Sequence, residues 1–428
     1  MTSAPSRRLA SALPERISER GAAVPAWVVA VLGVLSVAGA VGLAVAAATR
    51  HQIDFDVYRM GAGHVLGRDL YDMRLPRSQM GGPLGLHFTY PPFAALAFWP
   101  FTLVPVSAGQ LGWSLLNLLA LLALAATSIR ALRPAWSYQQ ILGLAAIVLL
   151  PAMLLNPDLV TLDYGQVNYF IVLLSLVDLT CVIGVRSHHL PRGVLVGVAA
   201  AVKLTPLIFI PFLLLTRQFR AAGTALATFL ACSLGALAVA PHSSWRYWST
   251  EVFDAKRSGN LLYISDQNLH SALQRMLGGP PSPVLLGALT LLFAAAGLAA
   301  AAWAYRVSSP MLGLLLGAAT GLIISPISWS HHYVWIVPIL AWLVLGPDRP
   351  RGGWCWALGL ALLFWAAPIW WVPDQQHGYG GALVLLAGNS FFLAVVAFLI
   401  FAVGMLWARA RARGGAPAQA GKLLGDDA

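Results

Sequence analysis

Runs of about twenty mostly apolar residues recur along the whole chain, and no other feature limits its fold as sharply. A helix crossing the hydrocarbon core of a bilayer needs roughly that length. Such runs occupy residues 25–48, 107–129, 137–155, 166–186, 219–240, 284–305, 309–328, 332–346, 353–373 and 382–408. Of the 428 residues, 58% are hydrophobic and only 10% are charged. A soluble domain carries about 25% charged residues, so a water-facing surface cannot be covered from this composition. A soluble enzyme, a disordered chain and a disulfide scaffold are thereby excluded. The net charge of +11 does not imply nucleic-acid binding, because basic residues at cytoplasmic loops produce the same excess in membrane proteins. Cys181, Cys232 and Cys355 are scattered inside apolar runs, without metal or disulfide spacing.

Two stretches fit the pattern less well. Residues 89–106 carry four prolines and read as an interfacial or re-entrant segment. Residues 190–216 are long enough to cross once, yet Lys203 and Pro206 stand in their middle. A proline removes a helix hydrogen bond, and irregular backbone at membrane depth survives only inside protein or beside a wet cavity. Arg186 and Arg192 precede this stretch, and Arg217 and Arg220 follow it. Basic residues on both sides predict a hairpin of two short helices that enters and returns on the cytoplasmic side.

Arg7, Arg8, Arg16 and Arg20 mark the N-terminus as cytoplasmic, and Arg409, Arg411, Arg413 and Lys422 mark the C-terminus likewise. The expectation is an all-α polytopic membrane protein with about twelve transmembrane or re-entrant segments and both ends inside. The first run, at about 24 residues, exceeds a signal-peptide core and reads as a retained span. Residues 1–24 and 409–428 read as disordered cytoplasmic tails around one membrane domain, 25–408.

With this topology the scarce polar residues gather on the outer side. The loop 49–88 opens with Asp54 and Asp56. Carboxylates at i and i+2 do not share a helix face, so one can enter a cavity as a general base while the other meets solvent or caps a helix. Spacing alone is also met by two structural acids. The same loop ends in Tyr90-Pro91-Pro92, a re-entry turn whose tyrosine can face substrate. The segment Asp163-Tyr164-Gly165-Gln166-Val167-Asn168 offers a carboxylate and two amides at an interface, suited to sugar hydroxyls and equally to helix capping. Gln267 and Asn268, in Ser265–Ser271, have the same two uses. His331 and His332 follow Ser325-Pro326-Ile327-Ser328-Trp329-Ser330. Adjacent histidines can donate to a phosphate or move protons, and Trp329 and Trp335 beside them can stack on a sugar or prenyl group. Lys203 lies between apolar residues, where a charge is costly and points to an anionic headgroup or phosphate; a snorkelling lysine is the structural alternative. Asp178, near the inner end of its run, is expected to pair with a basic group. No metal, Walker or dinucleotide motif is present, so neither metal nor cofactor is expected.

The ordered pieces DFDVYRMGAG, FTYPPFAAL, LDYGQVNYF, AAAVKLTPLIFIPFLLL, SDQNLHS and SPISWSHHYVW resemble glycosyltransferase family 87, and their order and spacing span residues 50–335, about two thirds of the chain. Within that family they are most similar to actinobacterial mannosyltransferases that use polyprenyl-phosphate mannose and extend phosphatidylinositol mannosides or related lipoglycans by an α-1,2-linked mannose. The resemblance implies a GT-C membrane fold in the plasma membrane, with the active site facing the extracytoplasmic side. It also implies a β-linked donor, hence inversion, and no cofactor. The family's catalytic aspartate falls on Asp54 in Asp54-Phe55-Asp56-Val57-Tyr58, with Asp56 as the alternative. Lys203, His331 and His332 become the candidates for the donor phosphate. Tyr58, Tyr90, Asp163, Gln166, Gln267 and Asn268 become the candidates for substrate contact. A secondary transporter or lipid flippase also fits twelve segments with a broken helix. So does another lipid-donor enzyme, such as an arabinosyltransferase.

Overall fold

The computed structural model describes residues 25–75, 85–180, 190–254, 257, 263–372 and 381–414. Cys181, the end of the fourth apolar run and the expected N-terminal tail lie outside them. Among the described residues there is no strand; only two isolated bridges occur, Arg74 with His87 and Asp266 with Trp329. The expected all-α architecture is what the chain adopts.

The first span, α1 (Ala26–Ala48), leads into a short, largely buried helix, α2 (Ile53–His64), and then α3 (Pro92–Phe98), which tightens into a 3-10 turn at Trp99–Leu103. Twelve residues of this kind reach about 20 Å, short of a crossing, as the prolines in 89–106 predict. Next come the long α4 (Val106–Leu132) and α5 (Tyr138–Met153), whose start is fixed by a reciprocal Ser137–Gln140 capping box. Pro151 sits in the last turn of α5, the helix stops at Met153, and α6 (Asn156–Tyr164) sets off at 81° to it. The stretch 156–165 is therefore not the loop expected. Pro157 occupies the first turn, where its missing N–H costs nothing, and Gly165 ends the helix at φ +67°.

After α7 (Asn168–Thr180) the chain builds α8 (Val194–Val202), breaks at Lys203 in extended backbone, makes a 3-10 turn at Thr205–Ile208 and continues as α9 (Phe209–Leu215). It then enters α10 (Phe219–Val239). Gly193 and Gly197 press against Ala221 and Ala225, so α8 starts beside the start of α10. The end of α9 is joined to that same start. Both mouths of the 194–215 segment thus lie at one end of α10, with the break at the far tip. Asp178 secures this hairpin by accepting the backbone N–H groups of Gly193 (2.7 Å) and Val196 (2.8 Å). Arg192 donates to the Leu179 carbonyl next door.

The expected loop 241–283 holds two further helices, α11 (Pro241–Ser249) and α12 (Leu269–Leu277). The remaining elements are α13 (Pro283–Val307), α14 (Pro310–Ile324), α15 (Ile336–Leu345), α16 (Gly353–Ala366), α17 (Ala382–Gly388) and α18 (Ser390–Gly414). The expected span 332–346 is composite: a 3-10 turn, Ser330–Trp335, precedes α15. Helix α18 runs six residues past the expected boundary at 408. Among the described residues six helices, or seven counting the bent α5–α6 pair, are long and apolar enough to cross a membrane, and shorter apolar helices lie between them.

Lipid is as apolar as leucine, so helices associate through close packing and small residues. A Cβ on Gly197 would lie 2.5 Å from the Ala225 carbonyl oxygen, and one on Gly313 would lie 2.8 Å from that of Ala301. These contacts bring α8 onto α10 and α14 onto α13. A second buried cluster of aromatic residues, including Phe55, Tyr58, Tyr71, Phe88, Phe98 and Trp113, ties α2, α3 and α4 together beneath the polar cavity described next.

Candidate active site

Four segments remote in sequence meet around one buried polar site: the first turn of α2, the turn before α7, the tip of the α8–α9 hairpin, and the 3-10 turn Ser330–Trp335. The turn Gly165–Asn168 lies at its centre. Gly165 packs so closely on α2 that a Cβ there would stand 2.8 Å from Phe55 Cβ. Gln52 Nε2 donates to the Leu162 carbonyl (3.3 Å), and Trp113 Nε1 donates to that of Gly165 (2.7 Å). These contacts hold the turn against the helix that carries Asp54.

Gln166 and Asn168, two residues apart, then face two different partners. Gln166 Nε2 donates to Asp54 Oδ2 at 2.7 Å. Lys203 Nζ donates to Asn168 Oδ1 at 2.8 Å and lies 3.0 Å from His332 Nε2. Asn168 Nδ2 in turn donates to the His331 carbonyl at 2.7 Å, and Thr161 donates to the same oxygen at 3.2 Å. One short turn thus places a carboxylate and an ammonium in a shared space. Lys203 is 9% exposed, and among the described residues no carboxylate pairs with it. Its Nζ also sits 5.6 Å from the centre of the Tyr90 ring.

Burial pushes the Asp54 carboxyl up to about 6, while the Gln166 hydrogen bond and the Lys203 charge pull the other way. Burial likewise keeps Tyr58 and Tyr90 protonated, well above the ordinary phenol range, with the Asp54 charge adding to it. Their hydroxyls both donate to Gln166 Oε1, at 2.7 and 3.3 Å. The His331 ring is buried edge-on to Tyr164, with centroids 5.8 Å apart, and among the described residues no group bonds to either of its nitrogens. A narrow cleft beside Lys203, Asn168 and His332, with room for about 40 Å³, is lined further by Ile171, Ile208, Phe209 and Trp335 among others.

Asp54, Tyr58, Tyr90, Gln166, Lys203, His331 and His332, all singled out from the sequence, therefore converge. Asp56 does not join them. It points to the other side of α2, where Gln110 Nε2 donates to it at 3.1 Å and it lines a groove with His51, Arg59 and Arg74. Asp163 sits at the rim in an ion pair with Arg50 at 3.3 Å. Gln267 and Asn268 are fully buried apart from the cavity, and their side chains hold the fold. Gln267 donates to the Ile264 and Gly388 carbonyls and accepts from Phe392 N–H. Asn268 caps α12 through Ser271 N–H and donates to the Pro326 carbonyl. Asp266 beside them accepts from Ser328 N–H and Ser271 Oγ, so this network anchors the turn that carries the two histidines. Trp329 packs on Tyr263 and Trp335 on Phe209. Asn168, one of the two amides the sequence offers for sugar hydroxyls or helix capping, holds the lysine, a role the sequence does not suggest.

A buried carboxylate and a buried amine held by the two amides of one turn, in a chain of membrane-spanning helices, define the site of a polytopic membrane protein. Residues 88–326 match the model of glycosyltransferase family 87. A protein of Mycolicibacterium smegmatis, named polyprenol-phosphate-mannose-dependent alpha-(1-2)-phosphatidylinositol mannoside mannosyltransferase, is 35% identical over 410 residues, covering 89% of this chain and 90% of the relative. Its namesake in Mycobacterium tuberculosis H37Rv is 34% identical over 376 residues, covering 83% and 85%. A third relative, from Mycobacterium tuberculosis CDC 1551 and named for a phosphatidylinositol pentamannoside acceptor, is 34% identical over 374 residues, covering 81% of each chain. The chain belongs to glycosyltransferase family 87, which sets aside the transporter alternative. No solved structure matches it.

Proposed function

We propose that the protein transfers mannose from polyprenyl-phosphate mannose to a mannosylated phosphatidylinositol glycolipid, forming an α-1,2 linkage with inversion. The names of the relatives support the donor and the class of acceptor. The observation that carries the chemistry is the Gln166–Asn168 turn, which bonds Asp54 through one amide and Lys203 through the other. An inverting displacement needs a base for the attacking hydroxyl and a counter-charge for the leaving phosphate.

In this mechanism Asp54 takes the proton of the acceptor hydroxyl as its oxygen bonds to the anomeric carbon. The bond from that carbon to the phosphate oxygen breaks on the opposite face, and the phosphate departs with its electron pair. Lys203 supplies a point charge to it. The buried His331 ring, whose nitrogens have no hydrogen-bond partner among the described residues, supplies an N–H donor of the kind a buried site retains for a ligand, and His332 stands beside Lys203.

The same proposal takes the fold as GT-C, with twelve transmembrane or re-entrant segments, both termini cytoplasmic and the cavity open to the extracytoplasmic side of the plasma membrane. The six long helices, the bent pair, the hairpin and the short apolar helices support that count. Donor competition tests the sugar. Purified protein given equal polyprenyl-phosphate mannose and polyprenyl-phosphate arabinose is expected to transfer mannose only, into a product cleaved by an α-1,2-mannosidase. Arabinose incorporation, or a product resistant to that enzyme, argues for another donor or linkage.

A further inference from the structure

We infer that Gln166 is a positioning residue for the base, held in one amide orientation by the Tyr58 and Tyr90 hydroxyls so that its N–H group always faces Asp54. This rests on the role proposed above for Asp54. It departs from the sequence expectation, in which Gln166 and the two tyrosines touch substrate.

A glutamine amide is nearly symmetric in shape, and either end can face a neighbour. Turned the wrong way, its carbonyl would oppose the Asp54 carboxylate, acceptor against acceptor. The structure removes that choice. Gln166 Oε1 receives two hydroxyl donors, Tyr58 at 2.7 Å and Tyr90 at 3.3 Å, one for each lone pair. Its Nε2 is then left to donate to Asp54 Oδ2 at 2.7 Å. The tyrosines cannot swing away. Tyr58 is 1% exposed, its ring lies 4.5 Å from that of Phe98 and edge-on to Tyr90 at 5.0 Å, and the two hydroxyls are 3.0 Å apart. Tyr90 is fixed in turn through its own carbonyl, which accepts the Tyr71 hydroxyl at 2.9 Å. Tyr71 is stacked on Tyr247.

Two consequences follow for the reaction. With Oδ2 engaged by Gln166, the acceptor hydroxyl has Oδ1 as its base. The donated N–H also favours the charged form of a carboxyl that burial pushes towards neutrality. Loss of Gln166 therefore leaves Asp54 protonated, and idle as a base, over a wider pH range.

The experiment compares wild type with Gln166→Ala and Tyr58→Phe, each checked for folding by thermal unfolding in detergent. Donor and acceptor are varied separately from pH 5 to 9. For Gln166→Ala we expect kcat to fall on the order of 10²-fold, the donor KM to stay within about twofold, and the acid limb of the acceptor kcat/KM profile to move up by about one pH unit. Tyr58→Phe, which keeps the ring and removes one donor, is expected to show the same direction with about a tenfold loss in kcat. It carries the test if Gln166→Ala does not fold. A folded Gln166→Ala enzyme whose acid limb stays in place overturns the inference, as does a Tyr58→Phe enzyme with wild-type kcat and pH profile. An Asp54→Asn enzyme that still turns over removes the base and its positioning residue together, whereas inactive Asp54→Asn with an unmoved profile in Gln166→Ala removes only the positioning role.

Discussion

Asp54 and Asp56 stand two residues apart and enter different environments, because consecutive odd or even positions on a helix do not share a face. Asp54 reaches Gln166 inside the cavity, and Asp56 reaches Gln110 on the far side of α2. In the proposed role, Asp54→Asn is expected to lower kcat by about 10³-fold or more while leaving the unfolding temperature within a few degrees. Asp56→Asn is expected to keep transfer within about tenfold. Steady-state rates of the two variants decide between the acids. The pH dependence has a definite sign. A base must be ionised, and burial raises this carboxyl to about 6, so kcat/KM is expected to rise through about pH 6 and level off above it. A rate that falls as pH rises through 6 contradicts ionised Asp54 as the base. Most of these residues were legible in the sequence because charge is so scarce there: Lys203 and Asp54 have few competitors. Gln267 and Asn268 misled because an amide beside a membrane can face a sugar or brace a turn. Only the hydrogen-bond partners, here Gly388, Phe392, Pro326 and Ser271, tell which.

At the scale of elements, the α8–α9 hairpin sets where Lys203 stands. Its break was visible as Lys203 and Pro206 inside an apolar run with arginines at both ends. What holds it was not visible, because the ties run between distant parts of the chain. Asp178, expected to pair with a basic group, takes two backbone N–H groups at the start of α8 beside Arg192, and Gly193 turns the chain there at φ +104° against α10. Gly193→Ala forces a Cβ into that contact and into the left-handed region, so a loss of about 1–3 kcal/mol is expected. Thermal unfolding in detergent measures it, and an unchanged midpoint contradicts a hairpin held from this end. Helix α6 escaped sequence reading for a different reason. Asn156-Pro157 and Gly165 delimit a loop as readily as a nine-residue helix, and the 81° bend after Pro151 depends on packing.

At the scale of the molecule, the apolar runs made the helical membrane architecture plain. The outline blurred wherever a run was broken or short, as at 332–346, where a 3-10 turn delivers the histidines before α15 begins. The basic residues at both ends predict a cytoplasmic C-terminus. A green fluorescent protein fused after Ala428 is expected to fluoresce, and a phosphatase fused there to stay inactive; the reverse pattern contradicts the proposed topology. The central proposal is that this cavity moves mannose from a polyprenyl phosphate to a phosphatidylinositol mannoside with Asp54 as base. Mass spectrometry of lipids extracted after incubating the purified protein with those two substrates addresses it most directly. The predicted result is a glycolipid longer by one hexose with wild type and none with Asp54→Asn. Unchanged substrates with folded wild-type protein, or full product with Asp54→Asn, would contradict it.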